Sequence, residues 1–440
     1  MSSTPRPELH LDIVNLIIDE LHGFRPDLKT CALVCRSWVS QSRLHLFSTI
    51  CLSLRRLLGK DVSSFLALCA SPYSTIPLAR VSDFIVVAEI EELQNSAAFE
   101  QLLTWQSPHD GKSIADVFGH LKTVYLKRIE WRPLSQTAKS MLHLAFRTVT
   151  ELTLRYVVFE TGDEFLEFLS SLIGLEKLCL YGVSLREPGQ ASTMQSNVLS
   201  SHFHTIDLEN LSPYHSFIRA ITPCLSLKNL SVHVCNFDDM SADCLSALRD
   251  LLVSAGPSLE SFEFCFEPWI LETGVNLAAS LQHIDFTKNS NLRKITLDVD
   301  DSNYFVPFLQ RLTKSHYPPS LKKLHIPKLI SSEMGGTLVD YKRVDELLQH
   351  SYFSALGEFR CRQCVIFGLE DVKGQPGVWY YRPNEGTQPL KEMESKIEEL
   401  KSAMPKLADK GILQVDEHFE LSSQDVWSRY ILREGQIDED

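Results

Sequence analysis

Val149-Thr150-Glu151-Leu152-Thr153-Leu154 and Leu175-Glu176-Lys177-Leu178-Cys179-Leu180 place apolar residues at the same three positions, i, i+3 and i+5, and that triplet decides the fold. Its last two members alternate with other residues, as on a strand that buries one face. Outward from this pair, the triplet recurs at Leu121/Val124/Leu126, Phe203/Ile206/Leu208, Leu227/Leu230/Val232, Leu259/Phe262/Phe264, Leu292/Ile295/Leu297, Leu321/Leu324/Ile326 and Leu356/Phe359/Cys361. First members stand 28, 26, 28, 24, 32, 33, 29 and 35 residues apart, a period that marks a repeat architecture. Residues 135–146, 163–172, 213–221, 241–253, 304–313 and 341–349 read as intervening helices or loops, with Asp163 and Ser241 as caps. Strand and helix alternating through short connections build an α/β solenoid of parallel strands backed by helices. A doubly wound α/β domain alternates in the same way, but nothing in it requires one triplet nine times. A further match, Leu281/Ile284/Phe286, falls off the period and reads as an extra strand.

The stretch from Leu9 to Phe47 follows a different pattern. It reads as two or three short helices with more apolar surface than so small a unit hides. Ile13, Leu16, Ile17 and Leu21 recur at helical spacing, while Val14 and Ile18 widen the stripe past the roughly 100° of an ordinary surface helix. Asp27 reads as the N-cap of a second helix, with Leu28, Cys31, Ala32 and Cys35 on one face and Leu33 and Val34 on another. Trp38, Leu44, Leu46 and Phe47 continue the apolar surface.

Leu9-x-x-Asp12-Ile13, Ile17-Ile18-x-x-Leu21 and Leu28-x-x-Cys31-x-Leu33-Val34-Cys35-Arg36-x-Trp38 together resemble the F-box, the adaptor-binding module of cullin-RING ubiquitin ligases. The family opens on Leu-Pro, whereas this chain has Leu9-His10, with Pro7 three residues earlier. The strand triplets in turn resemble degenerate leucine-rich repeats of the cysteine-containing kind that accompanies F-boxes. Three positions after each triplet the consensus prefers Asn or Cys. Here stand Ile129, Val157, Val183, Leu211, Cys235, Glu267, Asp300, Leu329 and Cys364, so no asparagine ladder runs along the repeats.

The resemblance implies a non-catalytic substrate receptor. Leu9, Leu11, Ile13, Ile17, Leu21, Leu28, Val34, Cys35 and Trp38 would dock a Skp-type adaptor and, through it, a cullin. The repeats would hold a protein target, bringing its lysines near a charged conjugating enzyme by proximity alone. Target candidates lie on the polar strand positions, which face away from the triplets: Tyr125, Lys127, Thr153, Arg155, Tyr181, Glu209, His233, Asp298, His325, Arg360 and Arg362. Tyr125, Arg155, Tyr181, His233 and Arg360 lead these, because exposed aromatic and arginine side chains anchor interfaces. A leucine-rich scaffold outside any ligase is the alternative, and an enzyme assembled from scattered polar residues a third reading.

Composition narrows the classes. A formal net charge of −13 argues against nucleic acid as partner. Hydrophobic residues at 44% and charged residues at 22% are ordinary for a folded chain. The longest uncharged stretch, Val62 to Ala79, carries two prolines and makes a poor membrane span. The opening residues lack a basic stretch leading into an apolar run and a cleavage site, so no secretory signal is expected there. Eleven scattered cysteines fit buried thiols in a reducing compartment, cytoplasmic or nuclear. Catalytic constellations are lacking. Cys361-Arg-Gln-Cys364 has no second pair to complete four ligands, His202 and His204 flank Phe203 as a solvent-facing pair, and Asp238-Asp239 and Asp300-Asp301 sit past strand ends. Neither a phosphate-cradling glycine motif nor Gly-x-Ser-x-Gly occurs. No metal, cofactor or catalytic residue is expected.

The expected layout is a tail over 1–8, the F-box-like helices over 9–50, linker helices and entry over 51–117, repeats over 118–366, and a cap region with an acidic tail over 367–440. Within 51–117, residues 62–69 and 89–105 read as helices around a buried strand, Phe84 to Val87. In the last region, Val378 to Tyr381 reads as a strand, Lys391 to Met404 as an amphipathic helix stopped by Pro405, Gly411 to Val415 as a final strand and Ser422 as a helix cap.

Overall fold

The structure is a computed structural model. It describes residues 10–54, 62–71, 81–88, 95–187, 199–234, 241–266, 284–298, 305–314, 320–326, 340–367 and 388–421. The chain is a mixed α/β protein in two compact units, Met1–Thr222 and Pro223–Asp440.

The first unit opens with three helices, α1 (Leu11–Glu20), α2 (Arg25–Val34) and α3 (Arg36–Leu46). Then come β1 (Thr49–Ser53), α4 (Val62–Ala70), β2 (Asp83–Val87), α5 (Asn95–Leu103), α6 (Ile114–Val117), β3 (Thr123–Lys127), α7 (Gln136–Ala145) and β4 (Glu151–Arg155). The unit ends with β5 (Val158–Thr161), α8 (Gly162–Ser171), β6 (Lys177–Tyr181), β7 (Ser184–Glu187), β8 (Thr205–Glu209) and α9 (Tyr214–Ile221). Strands β1, β2, β3, β4, β6 and β8 pair in chain order, every pairing parallel. The order never reverses, unlike that of a doubly wound sheet. Each strand is entered through one carbonyl that accepts two backbone N–H groups from the next: Lys122 O takes Thr150 N and Glu151 N, and Thr150 O takes Glu176 N and Lys177 N.

All members of the nine triplets are buried, none more than 8% exposed. A tenth triplet, Val81/Phe84/Val86, is equally buried and leads into β2, which carries its last two members. The sheet therefore begins before residue 118, and residues 51–117 supply strands as well as linking helices. Past β3, β4, β6 and β8 the chain turns through a left-handed residue: Arg128, Tyr156, Gly182 and Asn210, with φ from 51° to 61°. Arg128 N, Tyr156 N and Gly182 N each donate to the following strand's last carbonyl at 2.7–2.8 Å. That ladder holds non-glycine residues in a conformation costing them about 1–2 kcal/mol. At Gly182 the glycine is required twice over, because a Cβ there would lie 2.4 Å from Tyr156 Cδ1. The next residues, Ile129, Val157, Val183 and Leu211, are all buried, an apolar ladder where the consensus would place asparagine. Thr161, not Asp163, caps α8 through Glu164 N; Asp163 lies inside the first turn.

The second unit comprises β9 (Asn229–Val234), α10 (Ala242–Ala255), β10 (Ser261–Phe266), β11 (Lys294–Asp298), α11 (Phe305–Leu312), β12 (Lys323–Ile326), α12 (Tyr341–Leu347), β13 (Glu358–Phe367), α13 (Gln388–Ala403), α14 (Pro405–Asp409) and β14 (Leu413–Leu421). Its strands β9 to β14 again pair in chain order and in parallel. Ser241 caps α10 as read, accepting from Cys244 N. The C-terminal end of α10 is closed from a distance by Asn289, wholly buried, whose amide donates to Leu252 O and Gly256 O at 2.9 and 2.8 Å.

Two expectations are corrected here, and a third is extended. Ile284 and Phe286 are buried but irregular, so the described part of the off-period match is not a strand; Phe286 instead packs edge-on against Phe262 at 5.1 Å. The sheet runs past residue 366, because β14 pairs with β13 over its whole length. Pro405 ends one helix only to open another, as proline suits a first turn. That second helix, α14, begins on a carboxylate from elsewhere: buried Asp345 accepts from Leu407 N at 3.0 Å and Lys406 N at 3.3 Å. Leu281, Val378 to Tyr381, Ser422 and both chain ends lie outside the described residues.

Candidate interaction surfaces

Six of the ten residues of α1 are apolar, and a three-helix unit has room for few of them. Val14, Ile18 and Leu28 form its small core, with Leu21, Cys31, Trp38 and Leu46 packed against it. The stripe turned outward carries Leu11, Ile13, Leu16 and Ile17, and on α2 Leu33 and Val34 are exposed, Leu33 to 87%. Phe24, between the helices, is 61% exposed. Helical spacing had suggested the opposite division, with Val14 and Ile18 as the surplus.

The nine residues read as adaptor-docking therefore separate into two groups. Leu11, Ile13, Ile17, Val34 and Cys35 lie on the surface. Leu28, at 0% exposure, is corrected to a core residue, and Leu21 and Trp38 brace that core while keeping part of their surface in solvent. Leu9 lies outside the described residues. Leu16, Phe24 and Leu33 join the exposed set; the all-round apolarity of α1 was the signal for Leu16.

Local chemistry fixes this arrangement. His10 caps α1 with φ −60°, the angle a proline ring imposes, and its Nδ1 accepts from Asp12 N at 3.5 Å. Asp27 is not the cap of α2. The helix starts earlier, behind Phe24, with Pro26 and Asp27 in its first turn. Asp19 ties α1 to α3, its carboxylate accepting from Gln41 and lying 2.6 Å from His45 Nε2. The His45 contact is the largest of the influences that hold the Asp19 carboxyl below its ordinary pKa. Arg25 donates to Leu46 O at 3.1 Å, closing α2 onto the end of α3. Exposed Cys35 has its thiol pKa lowered by the Ser37 hydroxyl 3.0 Å away.

The second surface is the polar face of the strands. Tyr125, Arg155 and Tyr181 come together on β3, β4 and β6, with Arg155 directly opposite Tyr181. Hydrogen bonding to the hydroxyls of Tyr125 and then Tyr156 raises the Arg155 pKa, and its guanidinium sits 5.4 Å from the Tyr156 ring centroid. The Tyr181 hydroxyl donates to Asp207 at 2.5 Å, and burial, followed by that bond, pushes its pKa up.

His233 and Arg360 belong to the other unit. Arg360 is spoken for: it forms a two-pronged ion pair with Asp416 of β14 at 2.7 and 2.8 Å, which removes it as an unencumbered target anchor. His233 lies beside Ser231, Nε2 to Oγ 3.0 Å, and joins Glu263 and Cys265 so that one potential ligand atom from each falls within 4.8 Å of the others. Sequence reading passed over Glu263 and Cys265; their shared polar-face register was the available signal.

Cys361 is the third member of its triplet, its thiol pushed up to about 12 by burial, whereas the Cys364 side chain lies outside the described residues. The nine described cysteines are all unbridged. Among the described residues no helix is long and apolar enough to cross a membrane. No model of a known protein family matches the chain, and no curated protein matches it in sequence.

Proposed function

We propose that the chain is the substrate-recognition subunit of a cullin-RING ubiquitin ligase. Its N-terminal helices are an F-box that docks a Skp-type adaptor, and its strands and backing helices are a leucine-rich-repeat solenoid that holds a protein target. The observation that carries the reading is the apolar face of α1 and α2, where Leu11, Ile13, Leu16, Ile17, Leu33 and Val34 stand in solvent although the helices are otherwise well tied. Exposed apolar side chains grouped on one helix face, as Ile13, Leu16 and Ile17 are on α1, mark a surface that a partner covers. For the solenoid, the support is the burial of every triplet and the unreversed strand order within each unit. Tyr125, Arg155 and Tyr181 are the leading target contacts. The protein supplies no nucleophile and works in the reducing cytoplasm or nucleus.

The test is co-purification of the full chain with a Skp-type adaptor, beside an Ile17→Asp/Leu33→Asp variant. Both positions are exposed, so the variant keeps its fold, and adaptor binding is expected to fall at least a hundredfold. A folded parent chain that captures no adaptor overturns the receptor reading and leaves a repeat scaffold outside any ligase.

A further inference from the structure

We propose that His233, Glu263 and Cys265 form a binding site for a divalent transition-metal ion of the zinc class. The three residues sit on neighbouring parallel strands in fixed register: Cys265 of β10 lies opposite His233 of β9, and Glu263 opposite Ser231. All occupy positions alternate to Leu230, Val232, Phe262 and Phe264, which are buried on the helix side, so they share the polar face. Their ligand atoms lie within 4.8 Å of one another. Zinc–ligand bonds of 2.0–2.3 Å put tetrahedral ligands about 3.5 Å apart. Side-chain rotation alone closes that difference.

The donor set selects the metal. One imidazole nitrogen, one thiolate sulfur and one carboxylate oxygen suit zinc, whereas calcium and magnesium demand oxygen throughout. Ser231, with Oγ 3.0 Å from His233 Nε2, is placed to orient the imidazole. The Cys265 thiol donates to Glu263 Oε1 at 3.6 Å. Loading replaces that S–H bond with a sulfur–metal bond and releases the thiol proton to solvent.

A second observation comes from the next strand. Thr296 of β11 is the register partner of Glu263, is only 5% exposed, and its hydroxyl has no hydrogen-bond partner among the described residues. An unpaired buried hydroxyl is costly. Three protein ligands leave a fourth position for water, and a water there beside Glu263 satisfies Thr296.

The experiment uses the full chain, stripped with chelator and titrated with zinc chloride by calorimetry and with cobalt(II) by absorption. One ion per chain is expected, with a sulfur-to-cobalt charge-transfer band and the intense visible bands of four-coordinate cobalt. Cys265→Ser should abolish the charge-transfer band, Glu263→Gln should weaken zinc binding at least tenfold, and Thr296→Val about tenfold. Each variant's fold is checked by circular dichroism. Cys361→Ser should change nothing. Absence of stoichiometric zinc on the folded parent chain, a band that survives Cys265→Ser, or a band lost instead in Cys361→Ser would each overturn the site.

Discussion

The N-terminal helices and the repeated strands draw on the same aliphatic residues and dispose of them in opposite ways. Along the strands every triplet residue is buried, whereas on α1 and α2 the larger share stays in solvent. A strand has two faces and a period of two, so its apolar positions have one possible home. A short helix that is apolar all round has no such rule, and a unit whose core centres on Val14, Ile18 and Leu28 cannot cover the rest. Apolar surface that one region spends on its own stability, the other leaves in solvent.

The largest effect should come from the strand side. Phe84, wholly buried at 4.5 Å from Phe118, is expected to cost about 3–5 kcal/mol when changed to alanine, read by chemical denaturation. Leu33→Ala should stay within about 0.5 kcal/mol. Equal losses at the two sites would erase the contrast.

Leu28→Ala sharpens it from the helical side, at an intermediate about 2–3 kcal/mol. Because the core it opens is small and local, amide exchange should accelerate across α1 to α3 while β3, β4 and β6 stay protected. Uniform acceleration would mean that the helices and strands share one core.

The smallest effect concerns Asp19. Its folded pKa is depressed, so its contribution is fully present above the unfolded value, about 4, and is lost as pH falls through the folded value. With the carboxylate 42% exposed, screening limits the contribution to about 0.5–1 kcal/mol. Stability of α1 to α3 should decline below about pH 4, and Asp19→Asn should flatten that decline. An unchanged acid profile in the variant would show that the tie to His45 contributes nothing.

Much of the strand architecture was legible because it depends on local alternation. The nine triplets and helices such as α7 and α10 could be read within a residue or two of their ends. Strand β2 was placed outside the repeats because its spacing, not its pattern, departs from the rest; Val81, Phe84 and Val86 form an ordinary triplet 40 residues before Leu121. Caps were less legible. Thr161 and Asp163 are both good capping residues, and only the backbone decides which one faces a free N–H. Asp345 capping a helix that starts 60 residues later leaves no local signal at all.

By itself, the sequence determined which residues of each strand are core, since period-two alternation leaves no alternative face. It also determined that α1 carries more apolar surface than its unit can bury. Tertiary structure alone decided that Val14 and Ile18 turn inward while Ile13, Leu16 and Ile17 remain outside, because the positions of α2 and α3 select the buried side of a helix apolar all round. It alone brought His233 beside Glu263 and Cys265, about 30 residues away in the chain. Parallel register aligns residues one repeat apart, and proximity on the sheet is then set by the strand a residue occupies, not by its distance along the chain.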